Sequence, residues 1–289
     1  MGKYLSRIVD QELKLNLESS GAVLIEGPKW CGKTRTAEEQ ASSAIYLQDT
    51  DKRKQYSRIL DTKPSILLDG EAPRLIDEWQ TAPILWDGVR FAVDRRGMPG
   101  QFILTGSSVP ADNATMHTGT GRISRMLMRP MTLFESSESN GQVSLGTLFE
   151  NSSGISGRSD LTLDKLAFAL VRGGWPASVG EIGTSALRHA RNYVNAVMNT
   201  DISLVDGVEK DPNKVHKLMV SLARNVSTMA KLKTILDDVS GDEHSDINSD
   251  KTVSTYLNAL RRLFVIEDLP AWEPDMRSKT ALRTSSKRH

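Results

Sequence analysis

The fold of this chain is set by one stretch, Gly27-Pro28-Lys29-Trp30-Cys31-Gly32-Lys33-Thr34, which follows the apolar run Ala22-Val23-Leu24-Ile25. The stretch matches G-x-x-x-x-G-K-[ST] at every fixed position and lies between a strand-like and a helix-like segment, as a phosphate-binding P-loop must. Glycines let such a backbone curl so that its N–H groups point at phosphate oxygens, and the next helix begins with unpaired N–H groups and a positive dipole. Residues 27–34 therefore predict a nucleoside triphosphate site.

Within this P-loop, the residue types indicate separate tasks. Lys33 is predicted to reach the β and γ phosphates, and the Thr34 hydroxyl is predicted to ligate Mg²⁺. The predicted nucleotide contacts are Gly27, Pro28, Lys29, Trp30, Cys31, Gly32, Lys33, Thr34, Arg35 and, from a later strand, Ser107.

A second landmark is the stretch Pro73-Arg74-Leu75-Ile76-Asp77-Glu78-Trp79-Gln80. A short apolar strand that ends in two acids is typical of a Walker B segment, where Asp77 would hold Mg²⁺, directly or through water, and Glu78 would deprotonate the attacking water. The alternative is an Asp-Glu pair in an ordinary strand-to-helix loop. The position of the pair, about 45 residues after the P-loop, favours the catalytic interpretation.

Two later segments offer further groups for a γ-phosphate. The strand-like run at residues 101–108 ends in Thr105, Ser107 and Ser108, any of which could sense that phosphate, unless they are only loop formers. The glycine-rich segment at residues 117–130 carries Arg122, Arg125 and Arg129. One arginine could stabilise transition-state charge, across a subunit interface in a homo-oligomer, and plain salt bridging is the alternative. The catalytic candidates are Glu78, Lys33 and Arg122.

Composition excludes several classes of protein. The 289 residues carry a net charge of +1, so no global field draws the molecule to nucleic acid or to an anionic membrane. The single cysteine excludes an intramolecular disulfide framework and a cysteine zinc cluster, which fits a reducing cytoplasm. No apolar run approaches the roughly 18 residues of a membrane span. We expect a cytoplasmic protein without membrane contact.

The composition of the chain changes after the first half. Residues 136–160 are rich in serine and glycine, and the pattern becomes mostly helical from residue 161. The predicted division is a P-loop domain at 1–135, a linker at 136–160, a helical domain at 161–276 and a basic tail at 277–289.

The end of the helical domain has the order of a winged helix-turn-helix: three helices and then a strand at residues 264–267. A helix at residues 251–263 would bury Val253, Tyr256, Leu257 and Leu260 and turn polar side chains outward. Those outward residues are Lys251, Ser254, Thr255, Asn258, Arg261 and Arg262. Their types suit contacts to DNA phosphates and base edges, and a helical protein-interaction module is the alternative.

The motifs in order resemble one bacterial and archaeal ATPase family. They are G-P-K-x-x-G-K-T, L-I-D-E-W-Q, F-I-L-T-G-S-S and G-R-I…M-R-P-M, and the later stretches R-G-G-W-P-A and L-P-A-W fit the same family. Its members pair an AAA-like P-loop domain with a C-terminal DUF4143 domain. The family continues into a nuclease-like portion that this sequence does not reach, so we expect a C-terminally shortened member without nuclease activity.

The resemblance implies an α/β fold: an additional-strand P-loop NTPase with a parallel sheet and helices on both faces, followed by a mainly α winged-helix-like domain. It also implies ATP, and no guanine-reading N-K-x-D motif stands where GTP binding would need one. We therefore expect an ATP-binding protein with Mg²⁺-dependent hydrolysis coupled to a DNA-binding winged helix. The alternatives are a nucleotide-gated protein-interaction switch without DNA binding, or a domain that binds ATP but has lost its output.

Overall fold

The computed structural model describes residues 4–107, 119–151, 153–240, 249–270 and 287–288. By its internal contacts the chain divides into two compact units. The first comprises Met1–Ser107 and Asp112–Tyr193, and the second comprises Ser108–Ala111 and Val194–His289. The predicted linker at residues 136–160 thus lies inside the first unit, and the division predicted from composition stays a prediction.

The first unit is built on a five-stranded sheet in the order β2-β3-β4-β1-β5. The strands are β1 Ala22–Glu26, β2 Ser43–Tyr46, β3 Arg74–Asp77, β4 Phe102–Gly106 and β5 Ile123–Leu127. Every pairing is parallel, and β4 lies between β1 and β3. The predicted parallel sheet with an additional strand is confirmed. All five strands end at one edge of the sheet, where β1 leads into the P-loop.

Helices cover both faces of this sheet. Helices α1 Val9–Ser19, α2 Lys33–Glu38 and α4 Ile84–Arg96 contact its strands. The chain also forms α3 Arg53–Thr62, α5 Leu145–Glu150, α6 Leu163–Arg172 and α7 Gly183–Ala196, with 3₁₀ turns at Pro64–Leu68 and Trp79–Thr81. Because side chains alternate along a strand, Val23 and Ile25 of β1 pack with Leu13 of α1, whereas Leu24 packs with Trp86 of α4 on the other face. The two apolar clusters hold the strand ends, and hence the P-loop, in place.

The second unit is mainly helical. Its elements are a π-helical turn at Val197–Asp201, α8 Ile202–Leu204, α9 Pro212–Arg224, α10 Leu232–Ser240, α11 Asp250–Arg262, β6 Asp268–Leu269 and β7 Lys287–Arg288. Helices α9, α10 and α11 bury Leu218, Ile235 and Leu257, and β6 pairs with β7 antiparallel. The structure thus confirms the helix predicted at residues 251–263 to within one residue at each end.

The strand predicted at residues 264–267 is wrong, because the chain there forms the turn that caps α11, which itself ends at Arg262. Phe264 takes a left-handed backbone conformation with φ 57°. The Val265 N–H then donates to the Leu260 carbonyl at 3.0 Å, which closes the helix in the manner of a Schellman cap. Strand β6 can begin only after this turn, at Asp268. In the described part of the chain, no helix is both long and apolar enough to cross a membrane.

Candidate nucleotide site

The P-loop lies between the end of β1 and the start of α2, and its shape needs glycine at two positions. Gly27 has φ +155°, and a Cβ there would lie 2.1 Å from the Met128 carbonyl oxygen. Gly32 has φ +102°, in a region that L-residues rarely adopt. The fixed glycines of the motif therefore let the loop curl against the residues that follow β5.

Lys33 is buried, with only 5% of its surface exposed. Its Nζ donates to the carbonyl oxygens of Gly27 and Pro28, at 2.9 and 2.8 Å. The ammonium group is therefore held against the loop rather than in solvent. A phosphate oxygen is a stronger, charged acceptor that can take over these hydrogen bonds.

The Walker B carboxylate of Asp77 meets hydroxyl groups from two other elements. Thr34 Oγ1 and Thr105 Oγ1 both donate to Asp77 Oδ1, each at 2.7 Å. Burial raises the pKa of Asp77, and the charge of neighbouring Glu78 adds to that effect. The two hydroxyl donors and Lys33 act in the opposite direction. Helix α2, strand β3 and strand β4 thus deliver one cluster of oxygen atoms beside the P-loop lysine.

Glu78 follows directly after β3 in a left-handed conformation with φ 56°. Its backbone N–H donates to Thr105 Oγ1 at 3.0 Å, and its Oε2 accepts a hydrogen bond from Ser107 Oγ at 2.9 Å. Gln80 Nε2 donates to the same oxygen. Two of the three hydroxyl residues predicted at the end of β4 therefore engage the Walker B segment. Ser108, like His117, lies outside the described residues.

A cavity of about 450 Å³ lies at the P-loop. The lining residues are Lys29, Trp30, Gly32, Lys33, Thr34, Arg35, Gln48, Glu78 and Ser107. The structure thus brings most of the predicted nucleotide contacts together. Three of the predicted contacts, Gly27, Pro28 and Cys31, do not line the cavity. Cys31 is fully buried, its Sγ lies 3.5 Å from the Met128 carbonyl oxygen, and burial raises the pKa of its thiol.

The arginines of the predicted γ-phosphate segment lie at different ends of β5. Arg122 immediately precedes this strand, and its Nε contacts Asp94 Oδ1 at 2.8 Å. Because β5 runs parallel to β1, Arg122 is at the edge of the sheet opposite the P-loop, and the structure does not bring it to the site. Arg125 pairs with Glu26 at 3.0 Å. Arg129 alone of the three follows the strand at the P-loop end.

Several site residues have no signal in the sequence. Arg7 donates to the Cys31 carbonyl oxygen and to the Arg129 carbonyl oxygen, each at 2.7 Å, and to Glu135 Oε1 at 3.0 Å. These partners lie 24, 122 and 128 residues away, so no local pattern could indicate them. Gln80 and Gln48 were missed as well. Only the adjacency of Gln80 to the Asp77-Glu78 pair could have pointed to it.

Comparison with known proteins gives two family matches, each over less than half of the chain. Residues 19–137 match the family described as AAA domain, and residues 163–289 match a domain of unknown function, DUF8612. The second match is a different family from the DUF4143 domain that the resemblance implied. No curated protein matches the chain.

Among solved structures, the fold is similar to the Walker-type ATPase PABY2304 of Pyrococcus abyssi, at 17% identity over 91% of both chains with a TM-score of 0.51. Aeropyrum pernix ORC1 in complex with DNA matches at 13% identity over 96% of this chain and 86% of its own, with a TM-score of 0.29. PCH-2 of C. elegans matches at 13% identity over 88% of this chain and 65% of its own, with a TM-score of 0.27. The TM-scores of the ORC1 and PCH-2 matches are too low to establish a shared fold. Residues 19–137 thus match an AAA domain, and the parallel five-stranded sheet with its helices is an α/β P-loop NTPase-like fold.

Proposed function

We propose that this chain binds ATP with Mg²⁺ and hydrolyses it at the P-loop. The observation that carries the proposal is the 2.7 Å contact between Thr34 and Asp77, beside a buried Lys33. Glu78 lines the same cavity of about 450 Å³. A structural glycine turn would not need an ammonium and a hydroxyl of α2 to meet two carboxylates at the end of β3.

The donor set fits magnesium. Mg²⁺ prefers hard oxygen ligands and is usually held by one or two protein groups together with substrate phosphates. Thr34 Oγ1 and Asp77 Oδ1 are such ligands, and they already lie close together. Burial disfavours an ionised Asp77 without a partner, so a cation at this point would relieve an existing cost. When bound, Mg²⁺ would neutralise charge that develops on the transferred phosphoryl group.

The side chains divide the remaining work. Lys33 exchanges its hydrogen bonds to the Gly27 and Pro28 carbonyls for phosphate oxygens, which places the phosphates against the N–H groups of the loop. Glu78 accepts the proton of the attacking water. Ser107 and Gln80 both donate to one oxygen of Glu78, which fixes the orientation of that carboxylate. Catalysis of this kind is positional and electrostatic.

Two substitutions test the proposal. Lys33→Ala is expected to abolish ATP binding, whereas Glu78→Gln is expected to keep ATP affinity and to lose turnover by about 100-fold or more. Calorimetry with Mg·ATP and a phosphate-release assay measure the two effects. Glu71→Gln, at an exposed glutamate that precedes β3, is the matched control. Equal turnover in Glu78→Gln and wild type would remove Glu78 from its role.

We also propose that the second unit contacts DNA through residues 251–263 as a winged helix. The order of three helices followed by the antiparallel pair β6-β7 supports this proposal, because a two-stranded wing follows the recognition helix in such modules. Lys251, Thr255 and Asn258 are exposed on α11, and Lys287 is exposed on β7. These side chains are of types that contact phosphates and bases.

The two arginines at the end of α11 are poor test positions, because each has a partner in its own unit. Arg261 Nη2 contacts Asp268 Oδ2 at 2.7 Å, and Arg262 Nη2 donates to the Val205 carbonyl oxygen at 2.9 Å. Removing either would disturb the fold as well as any DNA contact. Lys251→Ala is the cleaner change, and Lys14→Ala, at an exposed lysine of α1, is its control.

A DNA shift assay over a series of salt concentrations decides this point. Loss of one phosphate contact in Lys251→Ala is expected to lower the slope of log affinity against log salt by about one. No shift of DNA by wild type at low salt would reject the winged-helix proposal. That outcome favours the nucleotide-gated protein-interaction switch, in which α9–α11 bind a protein.

Self-assembly stays a prediction of the same kind. Arg122 lies far from the P-loop of its own chain but is 46% exposed, so it could act only on a neighbouring copy in a homo-oligomer. Specific ATPase activity would then rise with protein concentration in wild type and not in Arg122→Ala. If the specific ATPase activity of both proteins is independent of protein concentration, Arg122 has no catalytic role and only its salt bridge to Asp94 remains.

A further inference from the structure

Trp30 has an unusual setting for a large aromatic residue. It is 57% exposed, in the middle of the P-loop, and its φ of 67° is a conformation that favours glycine. An exposed indole on a strained backbone gains little for stability, so burial does not explain this side chain. Trp30 does line the cavity that holds Lys33 and Thr34.

Two further aromatic rings back Trp30. Its ring centroid lies 6.1 Å from that of Tyr193, and the Tyr193 centroid lies 4.9 Å from that of Trp175. Both pairs are tilted, at 58° and 48°, as interacting aromatic pairs commonly are. Tyr193 is buried, with 7% of its surface exposed. Trp30 is therefore the exposed end of a row of three rings whose middle member, Tyr193, is buried.

The row is anchored to the P-loop by the R-G-G-W-P motif, for which ATP hydrolysis gives no role. Trp175 Nε1 donates to the Lys29 carbonyl oxygen at 3.3 Å, directly beside Trp30. Gly174 lies so close to Met131 that a Cβ there would be 2.2 Å from the Met131 carbonyl oxygen. Arg172 is paired with Glu138 through two hydrogen bonds of 2.8 Å. The backing rings are thus fixed in position relative to the loop.

We propose that Trp30 is the surface on which the base of the bound nucleotide stacks, and that it gives the site a preference for purines. The inference rests on the proposed function. Among the described residues that line the cavity, Trp30 is the only aromatic one, and only its ring offers a flat apolar face to a base. Trp30 and Lys33 line the same cavity, so a base attached to phosphates at Lys33 can share that cavity with the indole. A purine covers more of an indole than a pyrimidine does, and stacking of this kind tolerates either purine.

The test compares nucleotides with a ligand that has no base. Dissociation constants of Mg²⁺ complexes of ATP, GTP, CTP and inorganic tripolyphosphate are measured for wild type, Trp30→Ala, Trp30→Phe and Trp30→Gly. Trp30→Ala is expected to weaken ATP and GTP about tenfold, CTP by less, and tripolyphosphate by less than about twofold. Trp30→Phe is expected to lose less than about threefold for ATP, because a phenyl ring still stacks.

Trp30→Gly separates stacking from loop shape. Glycine adopts φ near +67° without strain, so this variant keeps or improves the loop backbone while it removes the ring. It is expected to weaken ATP as much as Trp30→Ala does. Phe91→Ala, at a phenylalanine of α4 that is 64% exposed, is the control and is expected to change nothing. Thermal melting confirms that each variant is folded.

Three outcomes would overturn the inference: equal losses for ATP and tripolyphosphate in Trp30→Ala, no loss for either, or full ATP affinity in Trp30→Gly. Tripolyphosphate binding by wild type reports on the P-loop alone. Wild type that binds tripolyphosphate but shows one of these outcomes retains the proposed function and loses the role of Trp30. Wild type that binds no ligand of the series rejects both proposals.

Discussion

The hydroxyl of Thr34 donates to the carboxylate of Asp77 at 2.7 Å, although the two residues come from motifs 43 positions apart. The two side chains proposed to hold one cation therefore already share a proton. A third partner, Thr105, donates to the same carboxylate oxygen at 2.7 Å. These hydrogen bonds hold the three side chains together, and cation binding would exchange one set of partners for another.

Asp77→Asn is expected to stabilise the magnesium-free protein while it removes magnesium-dependent ATP binding. Burial raises the pKa of Asp77, so the ionised form is disfavoured in the folded state, and a neutral amide avoids that cost. The amide oxygen still accepts from Thr34 and Thr105. The midpoint of thermal unfolding at about pH 8 should rise relative to wild type, and Mg·ATP should raise it no further. Asp61→Asn, at an exposed aspartate, is the control. A lower midpoint in Asp77→Asn would contradict the prediction.

Arg7→Ala is expected to weaken ATP binding by at least about tenfold, although Arg7 does not line the cavity. Its guanidinium joins the Cys31 carbonyl, the Arg129 carbonyl and Glu135, and so holds the P-loop to the chain that follows β5. Arg7→Lys should recover little, because an ammonium cannot reproduce a fork that spans three acceptors. Calorimetric titration with Mg·ATP measures the effect. Unchanged affinity in Arg7→Ala would show that the loop keeps its shape without this clamp.

Glu135→Gln is expected to remove a step from the dependence of stability on pH. Burial alone would raise the pKa of Glu135, but hydrogen bonds from the Thr132 and Ile8 N–H groups and from Arg7 lower it below its usual range. Because the pKa of Glu135 is lower in the folded state, its ionised carboxylate stabilises the fold at pH values above the usual glutamate pKa. That stabilisation is lost as the pH falls through the folded-state pKa. Unfolding midpoints should differ most at about pH 7 and converge below about pH 4. Parallel curves at all pH values would exclude a titrating contact.

Gly27→Ala is expected to cost far more stability than Gly97→Ala. Both glycines have positive φ, but a Cβ at Gly27 would meet the Met128 carbonyl oxygen at 2.1 Å, whereas a Cβ at Gly97 meets nothing within 4 Å. Gly97→Ala is therefore expected to lower the free energy of unfolding only by the cost of a positive φ at alanine, about 1 kcal/mol. Gly27→Ala adds a backbone clash and should also abolish ATP binding. Denaturant unfolding measures both variants, and equal costs would mean that the loop can move away from Met128.

Much of the P-loop domain could be predicted from the sequence because its signals are local. Strand β1, Ala22–Glu26, begins with the apolar run Ala22-Val23-Leu24-Ile25 and ends one residue after it. An apolar run of strand length and a glycine pattern of fixed spacing need no knowledge of distant residues. The meeting of Thr34 with Asp77 also followed, since parallel strands bring their carboxyl ends to one edge.

The other features of the fold and the site depend on the direction of each strand and on contacts between residues far apart in the sequence. The glycine-rich segment with its three arginines predicts Arg122 at the γ-phosphate, but the parallel direction of β5 puts the residue before Ile123 at the far edge of the sheet. The run at residues 264–267 predicts a strand, but the turn that ends α11 needs a left-handed residue at Phe264. The contacts of Arg7 and Trp175 with the P-loop join distant segments and leave no periodic trace.

The position of β4 has a consequence for how this site forms. Strands β1 and β3, which carry the P-loop and the Walker B acids, pair with β4 and not with each other. A chain emerging from the ribosome up to residue 100 can pair β2 with β3, but nothing yet joins that pair to β1. The edges of β1 and β3 that pair with β4 stay unpaired until residues 102–106 are synthesised. Unpaired strand edges favour misassembly and aggregation. A nascent chain that ends before β4 should therefore be prone to aggregation. A nascent chain that includes β4 should be the first to bind nucleotide.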